Sequence, residues 1–189
     1  MANEQYDLGV AIWDLGGSNE LALGTVELPT KGGITATYEE TTWSPTYDQT
    51  GDTPRDVIKT GETGEITVNM AAFNLEAFAK IFPKARLVTH GTDPTKAKVE
   101  FGGGVGESLL PYAKTLTLRP STLFDPDDPN LGDASEDITY LKAIPRANFS
   151  ITFAPNTERV YPVLFVAIYD ETRKAFVVFG DDSITGEEA

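Results

Sequence analysis

Two stretches of this chain alternate with a period of two, and that alternation constrains the fold more than any other feature. Ile34, Ala36 and Tyr38 interleave with Thr35, Thr37 and Glu39, and Ile66, Val68 and Met70 interleave with Glu65, Thr67 and Asn69. Successive side chains of a strand point to opposite faces, so each stretch predicts a strand with one apolar face and one face of Thr, Glu and Asn. Further strands are expected from Leu8 to Leu15, from Leu21 to Leu28, and near 97–101, 113–119, 139–144, 147–154, 160–169 and 174–179. The turn residues between these runs predict a mainly β protein, a β-sandwich or barrel.

One segment breaks the pattern. Asn74 is a good N-cap, Glu76 suits the first turn of a helix dipole, and Pro83 is a stop signal. Leu75, Phe78, Ala79 and Phe82 recur at helical spacing and predict one flanking α-helix with an apolar stripe against a sheet. Two long irregular segments remain, 43–61 and 120–137, whose prolines exclude central strand. Loops of that length in a compact domain are usually functional or mobile. Without internal repeats or a low-complexity linker, the 189 residues predict a single domain, 1–189.

Composition narrows the chemistry. The chain has no cysteine, so disulfides, thiolate metal sites and a cysteine nucleophile are excluded. Its net charge of −14 opposes stable binding to nucleic acid, which needs clustered Lys and Arg. No run approaches the roughly 18 apolar residues of a membrane span, and the start MANEQYDLG lacks the charged and apolar regions of a secretion signal. The expectation is therefore a protein made in a cytoplasm, with no membrane association.

Catalytic and ligand signals are weak. The single histidine, His90, sits in a loop-like THGTDP. GGGVGES (102–108) lacks the Lys-Ser/Thr pair of a phosphate-binding loop. In the acidic stretch 125–133, Asp125 and Asp127 match the first ligands of a calcium loop, but Pro129 takes the third ligand position. Asn148-Phe149-Ser150 matches a glycosylation triplet inside an expected strand. Neighbouring carboxylates such as Glu39-Glu40 and Asp181-Asp182 point to opposite faces of a strand and form no acid/base dyad. Trp13 and Trp43 are read as core or interface, with sugar stacking as the alternative. No catalytic residue, metal or cofactor is expected.

The order of parts resembles a family. GGITATYEETTW leads into the loop SPTYDQTGDTPRDVIKTG, a second polar strand ETGEITVNM follows, and then the helix NLEAFAKIF. Near the C-terminus YPVLFVAIYDETRKAFVVFGDD reads as strand, Asp-containing turn and strand. This arrangement, over roughly residues 5–82 and 138–182, is similar to that of the tail tube proteins of siphophages. The resemblance implies a tail-tube-like β-sandwich with a flanking helix, assembled in the bacterial host cytoplasm into hexameric rings that stack as the tail of the virion. It also implies partners: further copies of the chain, a tape measure protein and other tail proteins, and double-stranded DNA in transient passage without specific binding.

On this reading Thr35, Thr37, Glu39, Thr41, Glu65, Thr67 and Asn69 line the channel. The long loop, with Pro45, Tyr47, Asp48, Asp52, Pro54, Arg55, Asp56 and Lys59, reaches the next ring. Residues 83–137 match no part of the family pattern and are expected to be a variable insertion. Other readings stay open: a tail-tip, baseplate or terminator ring component, a β-sandwich module binding carbohydrate or a cell surface, and a hydrolase using Asp and Glu pairs.

Overall fold

The computed structural model describes residues 9–46, 48, 51–93, 95–147, 150–155 and 158–184. Among the described residues, ten strands and one α-helix follow in the order β1 (Gly9–Trp13), β2 (Leu21–Leu23), β3 (Thr30–Trp43), β4 (Ile58–Met70), α1 (Leu75–Ile81), β5 (Arg86–Thr89), β6 (Ala97–Glu100), β7 (Lys114–Pro120), β8 (Ile138–Arg146), β9 (Tyr161–Ala167) and β10 (Val177–Phe179). The fold is mainly β with one flanking helix, as the alternation predicts.

Eight strands form one antiparallel sheet in the order β2-β1-β7-β8-β9-β4-β3, with β10 also pairing with β8. The sheet curls until β1 approaches β3, giving a sandwich-like arrangement around a single core. Ile66, Val68 and Met70 from β4 meet Val163 and Phe165 from β9, Leu116 from β7 and Trp13 from β1. The Trp13 and Phe165 ring centroids lie 5.2 Å apart. Apolar burial of this kind contributes roughly 25 cal/mol per Å² and dominates the stability of such a sheet.

Local chemistry explains where elements stop. Helix α1 begins where Asn74 Oδ1 accepts a 3.0 Å hydrogen bond from Ala77 N, with Glu76 in the first turn and Lys80 in the last. Of the expected stripe, Phe78 and Phe82, its C-cap, are buried and Leu75 and Ala79 are half-buried, with Ala77 and Ile81 buried as well. The expected strand 21–28 ends early, at Leu23. Gly24 takes φ +96°, and its N–H donates back to Leu28 O at 2.8 Å, closing a turn.

Three expectations need correction. The stretch 147–154 is not a strand where it is described: residues 150–155 pair with no strand, and Phe153 is exposed. Alternation supplies propensity, but a strand needs a neighbour to take its hydrogen bonds. Residues 83–137 are not an insertion as a whole, because β7 lies inside them and sits between β1 and β8 in the main sheet. Only the hairpin β5–β6 stands apart as a separate two-stranded sheet, and β5 had no counterpart among the expected strands. Finally, the first long loop is shorter than expected. Strand β3 runs to Trp43 and β4 starts at Ile58, so Lys59 is a strand residue.

Candidate functional site

Strands β3 and β4 extend well past the core. Strand β4 pairs with β9 only from Glu65 to Met70, whereas its pairing with β3 continues out to Ile58 opposite Trp43. Beyond that point the two strands form an arm by themselves. Every residue from Thr35 to Trp43 and from Gly51 to Thr60 is exposed. Among the described residues strand β3 ends the sheet, with β4 as its only strand partner. The Tyr140 hydroxyl also approaches Thr37 O, at 3.4 Å.

Register decides what each face of the arm presents. Thr35 lies opposite Thr67, Thr37 opposite Glu65, and Glu39 opposite Thr63, with Thr41 and Asn69 in phase on the same side. All seven residues expected to share a polar face therefore do so. Thr35, Thr37, Glu39, Thr41 and Glu65 are exposed, while Thr67 and Asn69 are half-buried. Thr37 Oγ1 donates to Glu65 O at 3.1 Å, tying the two strands together. Glu39 and Glu65 are diagonal neighbours, about 7–8 Å apart, and they make this face anionic.

The opposite face holds a cluster that the sequence did not announce. Lys59 Nζ donates to Glu40 Oε1 at 2.7 Å, to Glu62 Oε2 at 2.6 Å and to Tyr38 OH at 3.1 Å. The Tyr38 hydroxyl in turn lies 2.9 Å from Glu40 and 2.8 Å from Glu62. The Lys59 ammonium holds both carboxyls below the usual range. Hydrogen bonding to Glu62, then Glu40, raises the Tyr38 phenol despite Lys59, and Glu40 raises Lys59 itself. The cluster braces the two strands just where the core ends. Its signal, Tyr38, Glu40, Lys59 and Glu62 in one register, is invisible until a β-bulge at Thr41/Thr42 is known.

At the arm tip, Pro45 is half-buried and Asp48, Asp52, Pro54, Arg55 and Asp56 are exposed, while Tyr47 lies outside the described residues. Arg55 N donates to Pro45 O at 3.3 Å, and Asp56 Oδ1 accepts from Val57 N at 2.8 Å.

A cavity of about 510 Å³ lies elsewhere, beside β7 and β8. Within it Arg119 donates from Nε and Nη2 to the two oxygens of Asp137 at 2.8 and 2.7 Å, and from Nη1 to Pro129 O at 2.7 Å. The guanidinium thus pins the loop after β7 to the sheet. Asp133 and Asp181 are held low by hydrogen bonds from Ser135 and Ser183 in their own turns. Asp125 Oδ1 likewise accepts from Asp127 N at 2.9 Å, capping its turn instead of converging on a common point. Among the described residues no group of three or more acidic or histidine side chains is placed to hold a metal ion. His90 Nδ1 is engaged by Thr92 in an exposed turn. Trp13 is buried against Phe165 and cannot serve as a sugar platform, whereas Trp43 is exposed. Of the glycosylation triplet, Asn148 and Phe149 fall outside the described residues. Among the described residues no helix is long and apolar enough to cross a membrane.

Comparison with models of protein families and with curated proteins finds no match for this chain.

Proposed function

We propose that this chain is the major tail tube subunit of a long-tailed bacteriophage, a structural virion protein that closes into hexameric rings and stacks them into a hollow tube. The observation that carries this reading is the arm. Two long strands project from the core, and Thr35, Thr37, Glu39, Thr41 and Glu65 gather on one exposed face at the end of the sheet. A long terminal strand with no second strand partner among the described residues invites pairing with another chain, and closure of strands into a ring removes such an edge.

In the ring, the Thr35–Thr41 face of β3 and the Glu65–Asn69 face of β4 line the channel. Glu39 and Glu65 repel phosphate at short range, so duplex DNA slides past without adhering. This field is screened beyond about 8–10 Å at physiological salt. Further copies, a tape measure protein and other tail proteins are the expected partners, with assembly in the bacterial host cytoplasm.

Negative-stain micrographs of concentrated protein test the reading directly. Hollow tubes are expected. Isolated rings would favour a tail-tip, baseplate or terminator ring component instead. Exposed Trp43 is the observation that favours a carbohydrate-binding module. Glycan binding abolished by Trp43→Ala, without any assembly, would replace the tube with that second reading.

A further inference from the structure

We infer that the arm carries a charge lock: Glu40 and Glu62 stand directly opposite each other across β3 and β4, a β-bulge turns Lys59 onto their face, and the arm stays zipped while that cation bridges them. The lock works within a single subunit, whatever the arm meets on assembly.

Two carboxylates placed directly opposite each other on an antiparallel pair repel and destabilise it. In an unbroken ladder Lys59 could not answer that repulsion. Thr41 faces Gly61, so a regular register would set Lys59 opposite Trp43, on the face of Glu39 and Thr41. The bulge leaves Thr60 as the extra residue and pairs Lys59 with Thr42, in phase with Tyr38 and Glu40. Thr60 Oγ1 donates to Thr41 O at 3.0 Å and holds the bulge in place. The ammonium then lies 2.7 Å from Glu40 Oε1 and 2.6 Å from Glu62 Oε2, and 5.8 Å from the centre of the Tyr38 ring. One extra residue converts a repelling pair into a bridged one.

The lock sits just past Glu65, where the pairing of β4 with β9 ends. At its base Phe176 packs against Tyr38, ring centroids 5.7 Å apart, and against Tyr140 of β8 at 6.5 Å. Tyr140 is the titratable group that β8 brings to this base, and burial raises its phenol, so it stays neutral. Glu39 and Glu65 lie on the other face of the arm. In the native chain hydrogen bonds from Lys59, then from Tyr38, hold Glu40 and Glu62 below the ordinary carboxyl value of 4.5. The contribution of the lock is therefore complete above that value and is lost as pH falls through the depressed one. Without the cation the sign reverses. Each carboxylate then raises the other, and acid restores the pairing by neutralising one of them.

Lys59→Met removes the charge and keeps an unbranched apolar stem. Amide hydrogen exchange of the single subunit compares the arm, 38–43 and 58–63, with the core stretch 66–70 of the same β4 strand. Near neutral pH the variant is expected to lose about tenfold in protection of the arm amides, through two lost ion pairs and one unanswered repulsion, while the core stretch is unchanged. Adding Glu62→Gln is expected to restore most of that protection. Acidifying to 4.5, the ordinary carboxyl value, is expected to restore it too, and to leave the native arm as it was. Full arm protection in Lys59→Met overturns the lock, and so does a native chain whose arm amides show no protection. A loss that neither Glu62→Gln nor acid reverses also overturns it, because charge is then not the cause.

Discussion

Asp137→Ala should be among the most damaging single substitutions in this protein, and its size follows from the geometry around Arg119. The side chains of the pair are only 2% and 4% exposed, and both guanidinium contacts to Asp137 are under 3 Å. Removing Asp137 strands a buried cation with Pro129 O as its remaining acceptor. Breaking a buried pair in this way costs about 3–5 kcal/mol. The pair borders an open polar cavity, through which water reaches the orphaned charge, so the lower end, about 3 kcal/mol, applies. For a chain of this size each kcal/mol moves the melting temperature by about 2–4 °C, so a drop of roughly 10 °C is expected. Urea unfolding followed by the fluorescence of buried Trp13 measures the free energy. The double replacement Arg119→Met with Asp137→Leu provides the control, because exchanging both charges for apolar groups is often neutral or stabilising. A loss below about 1 kcal/mol for Asp137→Ala, or a double variant weaker than the single one, would refute the reasoning.

Gly64→Ala should destabilise by about 1–3 kcal/mol through overpacking, since an added Cβ would lie 2.6 Å from the Phe176 ring at the base of the arm; thermal unfolding within 1 °C of wild type would contradict this. Glu100 sits between Lys98 and Arg86, which hold its carboxyl down to about 2. Its folded value is depressed, so its contribution to the β5–β6 hairpin is complete above the ordinary carboxylate range near 4.5 and is lost as pH falls toward 2. An NMR titration with a midpoint near 4.5 would remove the assignment. Charge reversal of Glu39 and Glu65 to Lys should leave the monomer fold intact, because both side chains are exposed, yet slow DNA ejection and reduce infectivity; unchanged ejection would refute an electrostatic role for that face. Deleting residues 46–54 should leave a folded monomer and stop tube growth, and normal tubes from that variant would end the stacking role of the arm tip.

Much of this architecture was legible in the chain itself, and the reason is periodicity. The alternation through 34–39 and 65–70 specified two strands and the composition of each face, because the side-chain period of a strand is a local property. Asn74, Glu76 and Pro83 bounded the helix on equally local grounds. Local signals failed where pairing decides. The stretch 147–154 has the right alternation but no neighbour where it is described, and Arg86–Thr89 is a strand because Ala97–Glu100 lies beside it. Only tertiary structure placed β7 in the middle of the sheet, brought Arg119 to Asp137 and let the arm outrun its core. Each of these depends on register between segments far apart in sequence. Side-chain alternation fixes which way a residue points, but not what stands opposite it.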